Sequence, residues 1–345
     1  MNNSDVHILV IRLSAMGDVA MTVPVLRIFT QQFPTVKLTV LTQKQFVPFF
    51  KNILNVSIVI ADIRGKHKGV VGLWKLNKEL KNLSFTAVAD LHHVVRSKIL
   101  TTFLNCPQTI QIDKGRAKKK QLVNGRIFYQ LKSTYLRYVE VFSKLGFLMD
   151  LNKPPFFPAK SSLSANIQSL FGNLFLKPIL GIAPFAAHQG KMYPIEQMKT
   201  VIRHFSKTHC VVLFGGGSRE IEILSEIEKE TENVVSVAGK LTLVDELALI
   251  SNLQLMISMD SANAHMAAML GIKVVTIWGV THPFAGFYPY NQPKEYALLP
   301  DKSKFPKIPT SIYGNKVPKG YETVAASISP MTIIKKVTVI LRATD

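Results

Sequence analysis

Cysteine is nearly absent from this 345-residue sequence: the two present, Cys106 and Cys210, stand about a hundred positions apart. That excludes a disulfide framework and a four-ligand zinc site, and makes the reducing cytosol the expected compartment. Acidic residues are scarce as well. Twenty-two Asp and Glu against 42 Lys and Arg leave a formal charge of +20 and a sequence pI near 9.9. Long hydrophobic runs are missing: apolar stretches such as residues 8–11 and 274–278 are strand-sized, far below the roughly 20 residues that span a bilayer. The opening Met-Asn-Asn-Ser-Asp has neither a basic n-region nor a small-residue cleavage site, so it does not read as a signal peptide. The chain is expected to be soluble or at most peripheral. What is present is core material. Hydrophobic residues make up 47 % and mean hydropathy is +0.19, which a disordered basic tail does not reach. The length suits two domains, and the charge excess calls for an anionic partner: nucleic acid, a membrane surface or a phosphorylated substrate.

Short β-branched runs alternate with helix-period segments throughout. Strands are predicted at residues 6–13, 36–42, 56–61, 85–91 and 109–112, with helices at 18–32, 71–82 and 133–145. After the proline cluster of 152–158, which favours an extended linker, the pattern restarts. Strands are predicted at 179–183, 208–214, 234–237, 255–258 and 273–278, and helices at 194–206, 218–230, 243–251 and 262–270. Near-continuous apolar strands flanked by amphipathic helices indicate parallel sheets covered on both faces. The division is therefore 1–150, a linker at 151–160, a second α/β domain at 161–330, and a tail helix within 331–345 that can pack on either. Two such units would hold a cleft between the carboxyl edges of their sheets.

Chemistry is expected where strands end. The first strand runs into Arg12-Leu-Ser-Ala-Met-Gly-Asp18; Gly17 permits a tight turn, and Asp18 either caps the next helix or presents a general base. The loop Pro184-Phe-Ala-Ala-His-Gln-Gly-Lys191 precedes Pro194 at a helix start, so Lys191 is either a solvated lysine or part of a phosphate site. Leu213-Phe-Gly-Gly-Gly-Ser-Arg-Glu220 is neither a Walker loop nor G-x-G-x-x-G. It is a tight turn with Ser218 as N-cap, or a close backbone approach by Gly215 and Gly216 to a nucleotide whose ribose Glu220 holds. Met259-Asp-Ser-Ala-Asn-Ala-His265 opens a helix directly after a strand, placing Asp260 and Ser261 at its N-terminus. His265 lies one turn in, as a core residue or a ligand contact. Thr281 and His282 follow the next strand and either line the same edge or form a plain turn. No Asp-x-Asp, no His-x-x-x-His on one helix and no Gly-x-Ser-x-Gly elbow occurs; adjacent His92 and His93 follow a strand but point to opposite sides. Basic residues concentrate between Asp113 and Lys144, including Lys118, Lys119 and Lys120, with Phe128, Tyr129, Tyr135 and Tyr138 among them. The segment is a solvated charge run or a docking surface for an anionic amphiphile.

Taken in order, these motifs resemble glycosyltransferase family 9, the ADP-heptose:lipopolysaccharide heptosyltransferases, over roughly residues 6–290. Ser14-Ala-Met-Gly-Asp18 with Thr22-Val-Pro24 is similar to the family's first-strand signature. Asp260-Ser-Ala-Asn-Ala-His265, then Ala267-Ala268, Gly271 and Gly279-Val-Thr-His-Pro283, is similar to its donor signature. The resemblance implies a GT-B fold, two Rossmann-like doubly wound domains facing each other across a cleft, the first binding the acceptor and the second the nucleotide-sugar. It implies a metal-independent, inverting transfer with no cofactor, from an ADP-linked donor to a lipopolysaccharide-core or lipid-linked glycan at the cytoplasmic membrane face. Asp18 matches the base, Lys191 a diphosphate contact, Glu220 a ribose contact, and Asp260, Ser261 and His265 the donor cluster. Ala186 and Ala187 stand where members often carry hydroxyls, and Ala262 where Gly is usual, so those contacts are absent or supplied elsewhere.

A nucleotide-sugar epimerase or hydrolase on the same fold is the alternative enzyme; it would consume donor without a glycan acceptor. A nucleic-acid-binding protein has only the charge in its favour, without a recognised motif.

Overall fold

A run of buried β-branched residues bounded by turns can satisfy its backbone only by pairing with strands of the same kind. That is how the strands assemble in the computed structural model, which describes residues 6–51, 53–151 and 157–343. The opening pentapeptide, residues 152–156 of the proposed linker and the last two residues lie outside the described residues.

The amino-terminal unit comprises residues up to Lys114 together with 132–157. Its strands are β1 (His7–Ile11), β2 (Lys37–Thr42), β3 (Val56–Ile60), β4 (Ala87–Asp90) and β5 (Gln108–Gln111), all parallel, in the order β3-β2-β1-β4-β5. Its helices are α1 (Met16–Ala20), α2 (Thr22–Gln32), α3 (Gly69–Lys81), α4 (Val95–Leu104) and, after the excursion described next, α6 (Thr134–Lys144). One helix over 18–32 was expected. It is split at Met21, because Pro24 has no N–H to donate back across the junction.

The carboxy-terminal unit comprises 115–131 and 158 onward. It holds helix α5 (Arg116–Val123), the 7-residue α7 (Ala165–Phe171), α8 (Ile195–Phe205), α9 (Ser218–Glu230), α10 (Leu243–Ile250), α11 (Ala262–Met269) and α12 (Pro330–Arg342). Its strands are β6 (Ile179–Ala183), β7 (Cys210–Leu213), β8 (Val234–Ser236), β9 (Leu255–Met259), β10 (Lys273–Ile277) and the short edge strand β11 (Ala297–Leu298), in the order β11-β10-β9-β6-β7-β8.

Side-chain packing departs from the expected division at one place and decides which unit takes the tail helix, which was open to either. Residues 115–131 group with the second unit rather than the first: Leu122 and Leu131 are buried with Ala285, and the Leu131 N–H donates to the Phe284 carbonyl at 2.9 Å. The tail helix α12 also belongs there, with Ile333, Val337 and Ile340 in one core with Met198, Val201 and Phe205 of α8.

In both sheets the chain reverses its winding direction once, between β1 and β4 and between β6 and β9. Loops leaving the carboxyl ends of such neighbouring strands diverge, and the crevice between them is where open α/β sheets bind ligands.

Candidate active site

In the amino-terminal unit the divergence point is filled by Arg12, which directly follows β1. The residue is buried, and its Nη2 pairs with Asp18 Oδ2 at 2.5 Å while Nη1 donates to the Leu91 carbonyl beyond β4 at 2.6 Å. Its guanidinium also lies 5.9 Å from the Tyr138 ring centre. Burial works against the Arg12 charge, but Tyr138, Asp18 and Asp90 outweigh it and its pKa sits above the ordinary value. Asp18 is the third residue of α1 and does not cap it; Ala15 occupies the N-cap, and Gly17 is helical rather than left-handed. The expected tight turn is therefore absent, and the carboxylate is held by Arg12 instead. Its side chain remains 29 % exposed. The Tyr138 hydroxyl, fully buried, donates to the Asp18 carbonyl at 3.2 Å.

Asp90, at the end of β4, is completely buried. Its Oδ1 accepts the N–H groups of His92 and His93 at 3.0 and 2.8 Å, and Ser97 donates to Oδ2 at 2.9 Å. This turns the chain so that His92 packs near Arg12. Burial first, then Arg12 and Lys114, push the His92 pKa down to about 4, so the imidazole is neutral at pH 7. Its Nδ1 is buried without a hydrogen-bond partner among the described residues.

In the carboxy-terminal unit the loop after β6 ends in a single turn of 3-10 helix, Gln189–Lys191. Lys191 Nζ pairs with Asp260 Oδ2 at 2.8 Å, and Thr281 donates to the same oxygen at 2.9 Å. Asp260 is buried, so its charge needs those partners. The lysine stem runs through a slot made by glycines. A Cβ on Gly190 would stand 2.6 Å from the Gly314 carbonyl oxygen, one on Gly279 would strike the Gly190 carbonyl, and Gly314, at φ +81°, lies against the Lys191 stem. The Val280 N–H donates to the Gly190 carbonyl at 2.8 Å.

Ser261 is the N-cap of α11, and no side chain caps that helix; its hydroxyl stands 3.0 Å from Ser258 Oγ. His265 is buried on α11 between Ala264 and Met266. The two remaining predicted positions are occupied locally. Gly217, not Ser218, is the N-cap of α9, and Glu220 folds back so that Oε2 accepts the Gly216 N–H at 2.7 Å, with Gly215 alongside. His282 accepts the Phe284 N–H at 3.1 Å and packs on Phe128 and Phe284. Burial and Lys302 lower its pKa to about 4. His282 thus holds a turn, whereas Thr281 joins Lys191 and Asp260. Ala186 packs its methyl on the core of this unit.

The basic segment is not the uniform docking face expected. Lys119 is buried with its Nζ 4.0 Å over the Phe287 ring, and Arg137 and Tyr138 are buried in the amino-terminal unit. Lys118 and Lys120 are exposed. Sequence inspection passed over Arg12, whose signal was a charge immediately ending an apolar strand six residues before Asp18, and Tyr138, placed among surface residues.

Among the described residues no three His, Cys, Asp or Glu side chains are grouped as a metal site, and no helix is long and apolar enough to cross a membrane. A model of glycosyltransferase family 9 (heptosyltransferase) matches residues 73–311. The chain is 27 % identical to the lipopolysaccharide core heptosyltransferase OpsX of Haemophilus influenzae, over 82 % of this chain and 81 % of that protein. Among solved structures, a family 9 glycosyltransferase from Veillonella parvula superposes with a TM-score of 0.77 at 18 % identity, covering 98 % of this chain and 97 % of that one. The ADP-heptose lipopolysaccharide heptosyltransferase II of Escherichia coli gives 0.70 at 19 %, over 98 % and 99 %. These likenesses and the two doubly wound parallel sheets give the fold class, GT-B.

Proposed function

From the premise that this chain belongs to glycosyltransferase family 9, we propose that it transfers heptose or a closely related sugar from an ADP-linked donor, with inversion and without a metal ion, to an anionic lipopolysaccharide-core or lipid-linked glycan. The observation that carries the donor assignment is the Lys191–Asp260–Thr281 group at the carboxyl edge of β6, β9 and β10. A departing nucleoside diphosphate gains negative charge as the glycosidic bond breaks. An ammonium held in place beforehand, together with the open N-terminus of α11, stabilises that charge more in the transition state than in the ground state. Asp260 positions Lys191; it does not itself approach the phosphates.

The acceptor is activated by the other unit. Asp18 Oδ2 is engaged by Arg12, and the exposed remainder of the carboxylate accepts the proton of the attacking hydroxyl. Glu220, with Gly215 and Gly216, forms the loop beyond β7 and contacts the ribose, while Ser261 and His265 complete the donor side on α11. Such an enzyme works at the cytoplasmic face of the membrane, where both the nucleotide-sugar and the lipid-linked acceptor are found, and needs no nucleic acid.

Asp18→Asn tests the reading, since it keeps the side-chain volume and removes the base. Transfer to a lipopolysaccharide-core glycan is expected to fall by about 100-fold or more while ADP binding, read by calorimetry, stays near the wild-type value. Turnover close to wild type would remove Asp18 as the base. Exhaustive chelation is expected to leave the wild-type rate unchanged. Donor consumption without added glycan would favour the epimerase or hydrolase alternative.

A further inference from the structure

Helix α3 is apolar on two sides. Leu73, Leu76 and Leu80 face inward and are buried in the core of the amino-terminal unit. At about 100° per residue, Val70, Val71, Trp74, Lys75, Lys78 and Lys81 fall on the opposite side, and all six are exposed. The exposures of Val70, Val71 and Trp74 are 57, 68 and 47 %. Three large apolar side chains at the centre of a solvated helix face cost free energy in water unless something covers them.

The surroundings say what that is. The segment 62–82 carries six Lys and Arg and only two carboxylates, and both carboxylates are used within it. Asp62 accepts the N–H groups of Gly65 and Lys66 at 2.9 Å each; Glu79 pairs with Lys66 at 2.5 Å and His67 at 3.3 Å. Lys78 Nζ sits 3.6 Å above the Trp74 ring and steadies it. Gly72 packs against the His67 backbone with no room for a Cβ, which fixes the first turn of the helix on the preceding loop. The result is a rigidly mounted face with a tryptophan and two valines among lysines. Two copies meeting through it would bring like charges together, which disfavours a symmetric dimer. A surface that combines apolar depth with anionic headgroups matches both features.

We propose that the outer face of α3 is the surface by which this protein docks on an anionic lipid layer, with Val70, Val71 and Trp74 entering the headgroup boundary and Lys75, Lys78 and Lys81 meeting the phosphates. It takes the place assigned from sequence to Lys118, Lys119 and Lys120. The inference extends the membrane partner named above. Its test contains neither donor nor acceptor, so failure of docking and failure of the transferase reading are separately visible.

The full chain is incubated with vesicles of phosphatidylcholine alone or mixed with phosphatidylglycerol, and binding is read by sedimentation and tryptophan emission. The chain has two tryptophans, and Trp278 is only 1 % exposed, so an emission change reports Trp74. Binding is expected on the mixed vesicles, weakening with salt and accompanied by a blue shift. Val71→Asp/Trp74→Asp and Lys75→Glu/Lys78→Glu/Lys81→Glu should each weaken it by about tenfold or more, with circular dichroism and melting unchanged. Trp74→Phe should keep binding and lose the blue shift. Lys118→Glu/Lys120→Glu should bind as wild type. Unchanged binding by the α3 variants, equal binding to neutral vesicles, loss confined to the Lys118/Lys120 variant, or a dimer that the α3 substitutions dissolve would each overturn the proposal.

Discussion

A lysine that is to meet a diphosphate has to be held before the ligand arrives, and the holding group must itself be satisfied. Asp260 meets both demands: one oxygen takes Lys191 and Thr281 together, within a buried setting. In the proposed function the pair is structural as well as functional, and mutation separates the two contributions. Lys191→Met leaves a buried carboxylate without its cation and should cost about 3 kcal/mol of stability, along with a roughly 100-fold loss in turnover. Lys191→Met/Asp260→Asn removes both charges, leaves Thr281 a partner in the amide, and should regain most of the stability with none of the activity. Chemical denaturation and initial rates on the same three proteins decide it. If the double variant regained activity, Lys191 would be structural only. Both members were legible in the sequence on segments that leave strand ends, Asp260 directly after β9 and Lys191 at the end of the loop after β6. That they pair was not, because they lie far apart in the chain and meet only through the β6–β9 adjacency. Arg12 and Asp18 show a different limit: they stand only six residues apart, yet the carboxylate stood out as a candidate base or cap without its partner, because the pair forms only when the turn between β1 and α1 brings the two side chains together.

At the level of elements, the central strands were legible because burial on both faces leaves little but apolar residues in them; β6 and α9 match their expected bounds residue for residue. What stayed hidden was of two kinds. The short edge strand β11 is too brief to show a period, and α5 is so polar that its attachment rests on Leu122 and Lys119 alone. The glycine slot around Lys191 is likewise a tertiary feature: Gly190, Gly279 and Gly314 come from three loops. It makes a sharp prediction. Gly279→Ala would push a methyl onto the Gly190 carbonyl, break its bond from the Val280 N–H and displace Lys191. A loss of about 1–3 kcal/mol and a fall in turnover resembling that of Lys191→Met are expected. Gly216→Ala, where no atom lies within 4 Å of the added Cβ and φ is ordinary, should change stability by less than about 0.5 kcal/mol. Equal melting temperatures for the two glycine variants would show that the slot has room to relax.

For the whole molecule, the +20 charge resolves into uses that differ in burial. Some cations are structural, such as Arg12 under Asp18 and Lys119 on Phe287; Lys191 is paired with the buried Asp260; others crowd the outer face of α3. Histidine adds a pH dependence to this balance. His92 and His282 lie in different units, and in both burial and neighbouring cations lower the pKa to about 4 from an ordinary 6.5. The unfolded chain therefore binds protons more readily than the folded one between those values, so stability is complete at neutral pH and is lost as pH falls from 6.5 towards 4. Each histidine contributes at most about 3 kcal/mol to that loss. Glu246, half-buried with its carboxyl pushed up to about 7, works the other way between 4.5 and 7. Its partial exposure reduces its share, and the two histidines dominate. Melting temperature should fall steadily on acidification from about pH 7 to pH 4.5, and His92→Gln should flatten that slope while leaving neutral stability nearer to wild type than acid stability. A melting temperature that held constant or rose over this range would mean that the two imidazoles take up protons in the folded protein as freely as in the unfolded chain, and that the packing around Arg12 and Phe128 opens to admit them.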